Sequence, residues 1–202
     1  MKSAEQILKI KATVLYVLSH SPQGMDYIHL FKIMYFAQQR HLVTYGSPLM
    51  EDTFMALKHG PVPSLTYKVI RASEQNGHFD ETVMQDFCTS LTVKNIDGRP
   101  IVYAAADCDL EEFSKSDIAV LDACIEDYWS VGSFDLSDLS HDLAWKRARR
   151  TAERTGESAK LPLFDIAEAG GASKGMLQVI RERQWTVTWI AECCLHSPWT
   201  NC

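Results

Sequence analysis

The chain has 202 residues, 46% of them hydrophobic and 23% charged, and 26 acidic against 20 basic side chains give a net charge of −6. These proportions are those of soluble globular proteins, so they exclude a disordered chain, and the length is sufficient for one hydrophobic core. The acidic balance argues against a protein whose main task is non-specific nucleic-acid binding, because that task depends on Lys and Arg contacts to phosphates.

The sequence contains neither an apolar run long enough to cross a bilayer nor an N-terminal stretch typical of a signal peptide. We therefore expect a cytoplasmic protein. In a reducing compartment its cysteines are expected to be free thiols, and the buried ones to behave as small hydrophobic side chains. The six cysteines are Cys88, Cys108, Cys124, Cys193, Cys194 and Cys202.

The first two predicted elements are helices that should pack against each other. Ser3 and Gln6 form a capping-box pattern, and apolar residues then recur every three or four positions, which predicts a helix over residues 4–19. Asp26 can cap a second helix, in which residues 27–37 are apolar or aromatic at nearly every position. Lys32 is one of two interruptions in that run. Such a helix is expected in the middle of a domain.

A short helix is predicted after the following turn, over residues 51–58. Its two acidic first residues suit the positive end of a helix dipole. Gly60 and Pro61 would then end the helix, because glycine tolerates the left-handed conformation and proline does not extend a helix. Ser64 is predicted to cap the next helix, which ends near Asn76.

A β-hairpin is predicted in the middle of the chain, after a short helix over residues 82–87. Residues 91–96 alternate between apolar and polar, Asp97 and Gly98 supply a type I′ turn, and residues 101–104 return. The expected fold class is therefore mainly α: a single compact helical domain with a small inserted β-hairpin.

The second half of the chain is also predicted to be helical. Ser114 with Asp117 repeats the capping-box pattern and begins a long helix, Ser133 begins a short one, and residues 143–150 form a locally basic helix. The basic face of that helix is expected to be solvated or to dock a protein, with nucleic acid as the third interpretation. Ser173 is predicted to cap a further helix.

The whole chain, residues 1–202, is expected to be one domain, with a core over about residues 4–183. Residues 184–202 form a C-terminal extension of uncertain structure. Trp185 and Trp189 alternate with polar residues as in a strand, yet they also share a helical face, and a helix is favoured.

A series of motifs, in this order along the chain, resembles a known family over residues 4–148. The motifs are Leu-x-Lys-x-x-Tyr-Phe-Ala from Leu30, Gly-x-Pro-Leu from Gly46, Phe54-Met55-Ala56, and His-Gly-Pro-Val-Pro from His59 leading to Tyr67, followed by Phe113 to Asp117 and by Leu139-Ser140-His141 with Trp145. They resemble the Panacea family, also called the SocA-like or phage-associated antitoxin domain.

The resemblance implies an antitoxin of a toxin–antitoxin system, which binds a toxic protein partner by direct contact and has no turnover of its own. The toxin would be encoded next to it, and no cofactor, metal, membrane or direct nucleic-acid binding is expected. The family-motif residues and candidate partner-binding residues are Tyr35, Gly60, Pro61, His141, Trp145, Arg149, Trp185 and Trp189. His141 and Trp145 lie one helical turn apart, and a structural role is the favoured interpretation for both.

Two other functions remain open at the level of the sequence. One is a cysteine- or metal-dependent hydrolase in which His141 or His59 would act with Cys88 or Cys124. Zinc-ligand residue types also crowd the C-terminus, in a spacing that fits no usual zinc pattern. They are Cys193, Cys194, His196 and Cys202.

The second open function is that of an adaptor protein of a phage or mobile element, which shares every sequence feature with the antitoxin.

Overall fold

The computed structural model describes residues 2–183, and its fold is mainly α, as predicted. The helices are α1 (Ala4–Ser19), α2 (Tyr27–Tyr45), α3 (Ser64–Glu74), α4 (Thr82–Thr89), α5 (Lys115–Tyr128), α6 (Ser133–Leu139), α7 (Leu143–Thr155), α8 (Leu163–Ala169) and α9 (174–183), with a 3₁₀ turn at Leu110–Glu112. The strands are β1 (Met25–Asp26), β2 (Phe54–Leu57), β3 (Gly60–Pro63), β4 (Leu91–Ile96) and β5 (Arg99–Ala104).

Both predicted capping boxes are present. Ser3 and Gln6 exchange side chain to backbone hydrogen bonds at the start of α1, and Ser114 and Asp117 do the same at the start of α5. Each box satisfies backbone N–H groups that the first helical turn leaves free, so these two helix starts are determined locally.

Helix α2 is the centre of the fold, as its apolar sequence predicts. The Asp26 carboxylate caps it by accepting a 3.0 Å hydrogen bond from the backbone N–H of His29. Gly46 ends the helix at a φ of +64°, in the left-handed region that glycine tolerates. Helix α2 packs against α1, α5, α6 and α8 and against strands β1 and β3.

The prediction of a helix over residues 51–58 is wrong. Phe54–Leu57 is strand β2, which pairs antiparallel with β3 from Phe54 opposite Pro63 to Leu57 opposite Gly60. Burial alternates along β2, as it does in a strand with one covered face. Gly60 and Pro61, which were expected to stop a helix, instead begin the returning strand.

Asp52, expected in the first turn of that helix, caps α3 instead. Its two carboxylate oxygens accept hydrogen bonds from the backbone N–H groups of Leu65 and Thr66, each at 2.9 Å. The hydroxyl of Thr66 donates a third, at 2.8 Å. Ser64 is therefore the first residue of α3 and not its cap.

The predicted hairpin is formed by β4 and β5, with Asp97 and Gly98 at φ +50° and +78° in the turn. A third strand, β1, pairs with β5 through Met25 and Asp26. Two residues are too short a run to show strand periodicity, so β1 could not be predicted from the sequence.

The remaining predicted helices are present, although α7 extends five residues beyond its predicted end, to Thr155. Buried hydrophobic residues from α1 to α9 form one cluster. Within residues 2–183, no helix is both long enough and apolar enough to cross a membrane. The predicted helix at Trp185 and Trp189 lies outside the described residues.

Candidate functional site

The β2–β3 hairpin is held in place by three side chains from three different helices. Each one donates a hydrogen bond of 2.9 Å to a carbonyl oxygen of the hairpin. The pairs are Trp145 Nε1 from α7 with Leu57, Ser137 Oγ from α6 with His59, and Lys32 Nζ from α2 with Pro61. We call the hairpin turn and these three side chains the hairpin site.

Gly60 allows the hairpin to approach α2 and α6 closely. Its φ of +98° is unfavourable for any residue with a side chain. A Cβ atom added here would lie 2.8 Å from Nζ of Lys32, and closer still to Oγ of Ser140. Both the conformation and the space therefore require glycine.

Lys32 is a buried amine at the centre of the hairpin site, with a residue exposure of 1%. Its Nζ donates one hydrogen bond, to the carbonyl oxygen of Pro61, and makes no ion pair with any carboxylate in the described part of the chain. Burial lowers the pKa of this amine to about 7, because loss of hydration disfavours the charged form.

Lys32 also lines a surface cavity of about 250 Å³ between the start of α2 and the hairpin, which we call the Lys32 pocket. Its walls are aromatic and aliphatic, and its polar groups include three basic side chains. The lining residues are Tyr27, Ile28, Phe31, Lys32, Leu57, Lys58, His59, Val62 and Tyr67.

Tyr35 and Asp142 connect α2 to the start of α7 beneath the hairpin site. The hydroxyl of Tyr35 donates a 2.7 Å hydrogen bond to Asp142, and Nε2 of Gln39 donates one of 2.9 Å to the same carboxylate oxygen. The other oxygen caps α7 through the N–H of Trp145 at 3.0 Å. Burial, and then the charge of Asp142, raise the pKa of Tyr35, so the phenol stays protonated.

The rings of His141 and Trp145 are stacked, with centroids 3.9 Å apart and planes inclined by 18°. Burial lowers the pKa of His141, the charge of Asp138 opposes this, and Lys32 is among the nearby cations that lower it further. The indole N–H of Trp145 is used by the hairpin. The ring stack and the indole hydrogen bond are structural contacts, Nε2 of His141 has no hydrogen-bond partner within the described residues, and both side chains remain partly exposed.

The basic character of α7 is partly neutralised. Arg147 forms ion pairs with Asp165 and Glu168 of α8, and Arg149 pairs with Glu153 one turn along α7 at 3.2 Å. These pairings reduce the positive potential that a phosphate backbone would need. Arg149 lies one turn beyond Trp145, so the two share a face of the helix.

The two cysteines considered as nucleophiles are buried. Burial raises the pKa of Cys124 to about 11 and also raises the pKa of Cys88. Both thiols are therefore protonated near neutral pH, which disfavours nucleophilic attack. Neither lines the Lys32 pocket.

The candidate zinc ligands of the tail lie outside the described residues, as do Trp185 and Trp189. Between residues 2 and 183, no three His, Cys, Asp or Glu side chains are grouped in a way that could hold a metal ion.

The structure brings together Gly60, Pro61, His141 and Trp145, four of the residues singled out by sequence, and places Tyr35 directly beneath them. Arg149 adjoins this group on α7. Sequence reasoning assigned no role in the site to Lys32, Ser137, Ser140 or Asp142. Lys32 and Ser140 do stand in the motifs quoted from the sequence, and Lys32 is also a charged residue inside an otherwise apolar helix, which marks it as a buried amine that needs a partner.

Comparison with curated proteins gave no match, and comparison with solved structures gave none. A sequence model of the family described as antitoxin SocA-like, Panacea domain, matches residues 30–146, more than half of the chain. All side chains of the hairpin site lie inside this segment. The chain therefore belongs to the SocA-like antitoxin, Panacea domain family.

Proposed function

We propose that this protein is an antitoxin that binds a toxic protein, encoded next to it, and blocks the toxin by direct contact without catalysis. The family match over residues 30–146 carries the proposal. An antitoxin of this kind needs a stable scaffold and an exposed surface that a partner can cover, and it needs no reactive group.

The helices around the hairpin site offer such a surface. Phe134, Leu139 and Leu143, on α6 and at the start of α7, are 69%, 58% and 57% exposed. Several exposed apolar side chains on neighbouring elements, unlike a single one such as Leu110, are typical of a surface that becomes buried in a complex. Trp145 and Arg149 continue along α7, and these are residue types that often dominate binding energy.

The buried family-motif residues have a different role in this proposal. Tyr35, Gly60 and Pro61 are inaccessible to a partner, and their contacts fix the hairpin and the start of α7. Different toxins could then be recognised by different exposed residues, while the buried residues that hold the scaffold stay the same.

The cysteine hydrolase has less support, because Cys88 and Cys124 are buried and protonated. The adaptor hypothesis differs from the antitoxin only in its partner, so an experiment with the partner separates them. A harmless partner that still forms a complex would favour an adaptor.

The test is co-expression of the neighbouring open reading frame with and without this chain, followed by growth measurement and co-purification. We expect growth arrest by the neighbour alone, rescue by this chain, and a stoichiometric complex. The Phe134→Ser variant should weaken rescue and complex formation. Leu110→Ser, at a residue 56% exposed on the 3₁₀ turn, is the matched control and should leave both unchanged. A toxic neighbour that this chain neither rescues nor binds would contradict the proposal.

A further inference from the structure

We propose that the Lys32 pocket binds an acidic side chain of the toxin, with the carboxylate against the Lys32 amine and a neighbouring apolar residue of the toxin in the adjoining groove. This inference rests on the proposed function, because it names the chemistry by which the partner would be recognised. It concerns a residue that neither the family match nor the sequence analysis assigns to binding.

The walls of the pocket suit an apolar stem. The rings of Tyr27, Phe31 and Tyr67 contact one another, with centroids 5.6 Å apart for Tyr27 and Phe31 and 6.1 Å apart for Phe31 and Tyr67. Tyr67 is 37% exposed, so this aromatic wall reaches the surface. The methylene groups of a glutamate side chain would be removed from water against these rings.

The polar groups of the pocket suit a carboxylate. Lys32, Lys58 and His59 line it, and none of its nine lining residues is acidic, although the chain as a whole carries a net charge of −6. Apart from the two tyrosines, the ionisable side chains that an anion would meet in the pocket are therefore all basic. The side chains of the pocket are thus basic although the chain as a whole is acidic, and a basic pocket is complementary to a carboxylate.

Within the described residues, the Lys32 ammonium has N–H donors left for a further hydrogen bond. A lysine ammonium has three donors, and in residues 2–183 one hydrogen bond, to Pro61, is made. A carboxylate placed against Nζ would form a charge-assisted hydrogen bond in a desolvated site, where such bonds are strong. It would also supply the opposite charge that the buried ammonium lacks.

The kinds of side chain that line the pocket favour an acidic side chain over a phosphate group as its ligand. Phosphate sites commonly use arginine forks or the free N–H groups of a helix N-terminus. None of the nine lining residues is an arginine, and the start of α2, which lines the pocket with Tyr27 and Ile28, is already capped by the Asp26 carboxylate. The Lys32 amine behind apolar walls instead matches a small carboxylate at the end of an apolar stem.

A second cavity gives the partner room beside the carboxylate. It measures about 460 Å³, shares Tyr27 and Ile28 with the Lys32 pocket, and extends to Pro100 and the exposed Phe134. The two cavities therefore adjoin at the start of α2. An apolar residue next to the acidic one would lie in this second part.

The direct test uses two peptides, Ac-Ala-Leu-Glu-Phe-Ala-NH2 and its glutamine counterpart, added to the ¹⁵N-labelled full chain. We expect the glutamate peptide to shift the amide resonances of Gly60 and Ser140, with a dissociation constant in the range of about 10 mM or below. The glutamine peptide and the Lys32→Met variant should each bind at least about tenfold more weakly. Equal binding of both peptides, or no shift with the glutamate peptide, would overturn the proposal.

The second test separates this inference from the proposed function. In co-expression with the neighbouring toxin gene, Lys32→Met should lose rescue while remaining folded by circular dichroism. Lys68→Met is the matched control, because it removes the same charge from an exposed position on α3 outside the pocket. Full rescue by Lys32→Met would overturn the role of the pocket and leave the antitoxin function intact. Failure of the wild-type chain to rescue would overturn the function, and the peptide titration would still decide the chemistry of the pocket.

Discussion

The hydroxyl of Tyr35 lies 2.7 Å from a carboxylate oxygen of Asp142, the residue that caps α7. The bond joins residues 107 positions apart and fixes where α7 begins relative to the central helix. Trp145, one turn into α7, is thereby placed to donate to the hairpin. The family-motif tyrosine thus acts on the hairpin site from below, through Asp142.

Replacing Tyr35 by Phe should lower the free energy of unfolding by about 1.5–3 kcal/mol, the range for hydrogen bonds to charged groups. The loss is expected because the Asp142 carboxylate is partly buried and would lose a donor. Urea denaturation followed by tryptophan fluorescence measures it. The control is Tyr16→Phe, which removes a 2.6 Å bond to the exposed Asp122. Water can replace that donor, so a loss as large as that of Tyr35→Phe would contradict our explanation.

Replacing Gly60 by Ala should destabilise the protein by about 3 kcal/mol or more, combining the left-handed backbone cost with overpacking. The new methyl group would collide with Lys32 and Ser140. Gly98→Ala is the matched control, since Gly98 also has a positive φ but has open space around it. That variant should cost only about 1–2 kcal/mol. Thermal unfolding of both variants tests the difference, and similar losses would show that the close approach at Gly60 is unimportant.

The stability of the protein should rise between pH 7 and pH 8.5 because of Lys32. Its pKa is lowered to about 7 in the folded chain, whereas an unfolded lysine titrates near about 10.4. In this window the unfolded chain binds more protons at Lys32 than the folded chain does. The free energy of unfolding therefore increases with pH, by at most about 1.4 kcal/mol per pH unit.

The measurement is urea denaturation of wild type and Lys32→Met at several pH values in that window. The buried thiols, whose pKa values are raised, act in the opposite direction in both proteins, so the difference between the two isolates Lys32. We expect the wild type to gain about 1–2 kcal/mol relative to Lys32→Met from pH 7 to pH 8.5. A difference that stays constant would show that Lys32 does not titrate near pH 7.

Much of the helical framework could be predicted because its determinants are local. The capping boxes at Ser3 and Ser114 lie within three residues of their partners, and the Asp97-Gly98 turn defines its hairpin by itself. The apolar run after Asp26 identified the central helix. Periodicity and caps operate within one or two helical turns, so they are visible in the sequence.

The same local rules failed at residues 51–58. The acidic residues there suited a helix start, but the carboxylate of Asp52 binds the N-terminus of α3 instead. Four apolar residues are too few to separate strand from helix by periodicity. Pairing with β3, which the backbone of Gly60 makes possible, decided in favour of the strand.

Local patterns along the chain are sufficient to predict the helical class, the central helix, the β4–β5 hairpin and the family. The side chains from α2, α6 and α7 that hold the carbonyls of the β2–β3 hairpin follow only from tertiary packing, because the lysine and tryptophan partners lie 29 and 88 residues away. The same packing places Lys32 in the lining of a pocket that contains no carboxylate. Contacts over such distances depend on how the helices pack, and packing is a property of the whole core, which no local pattern encodes.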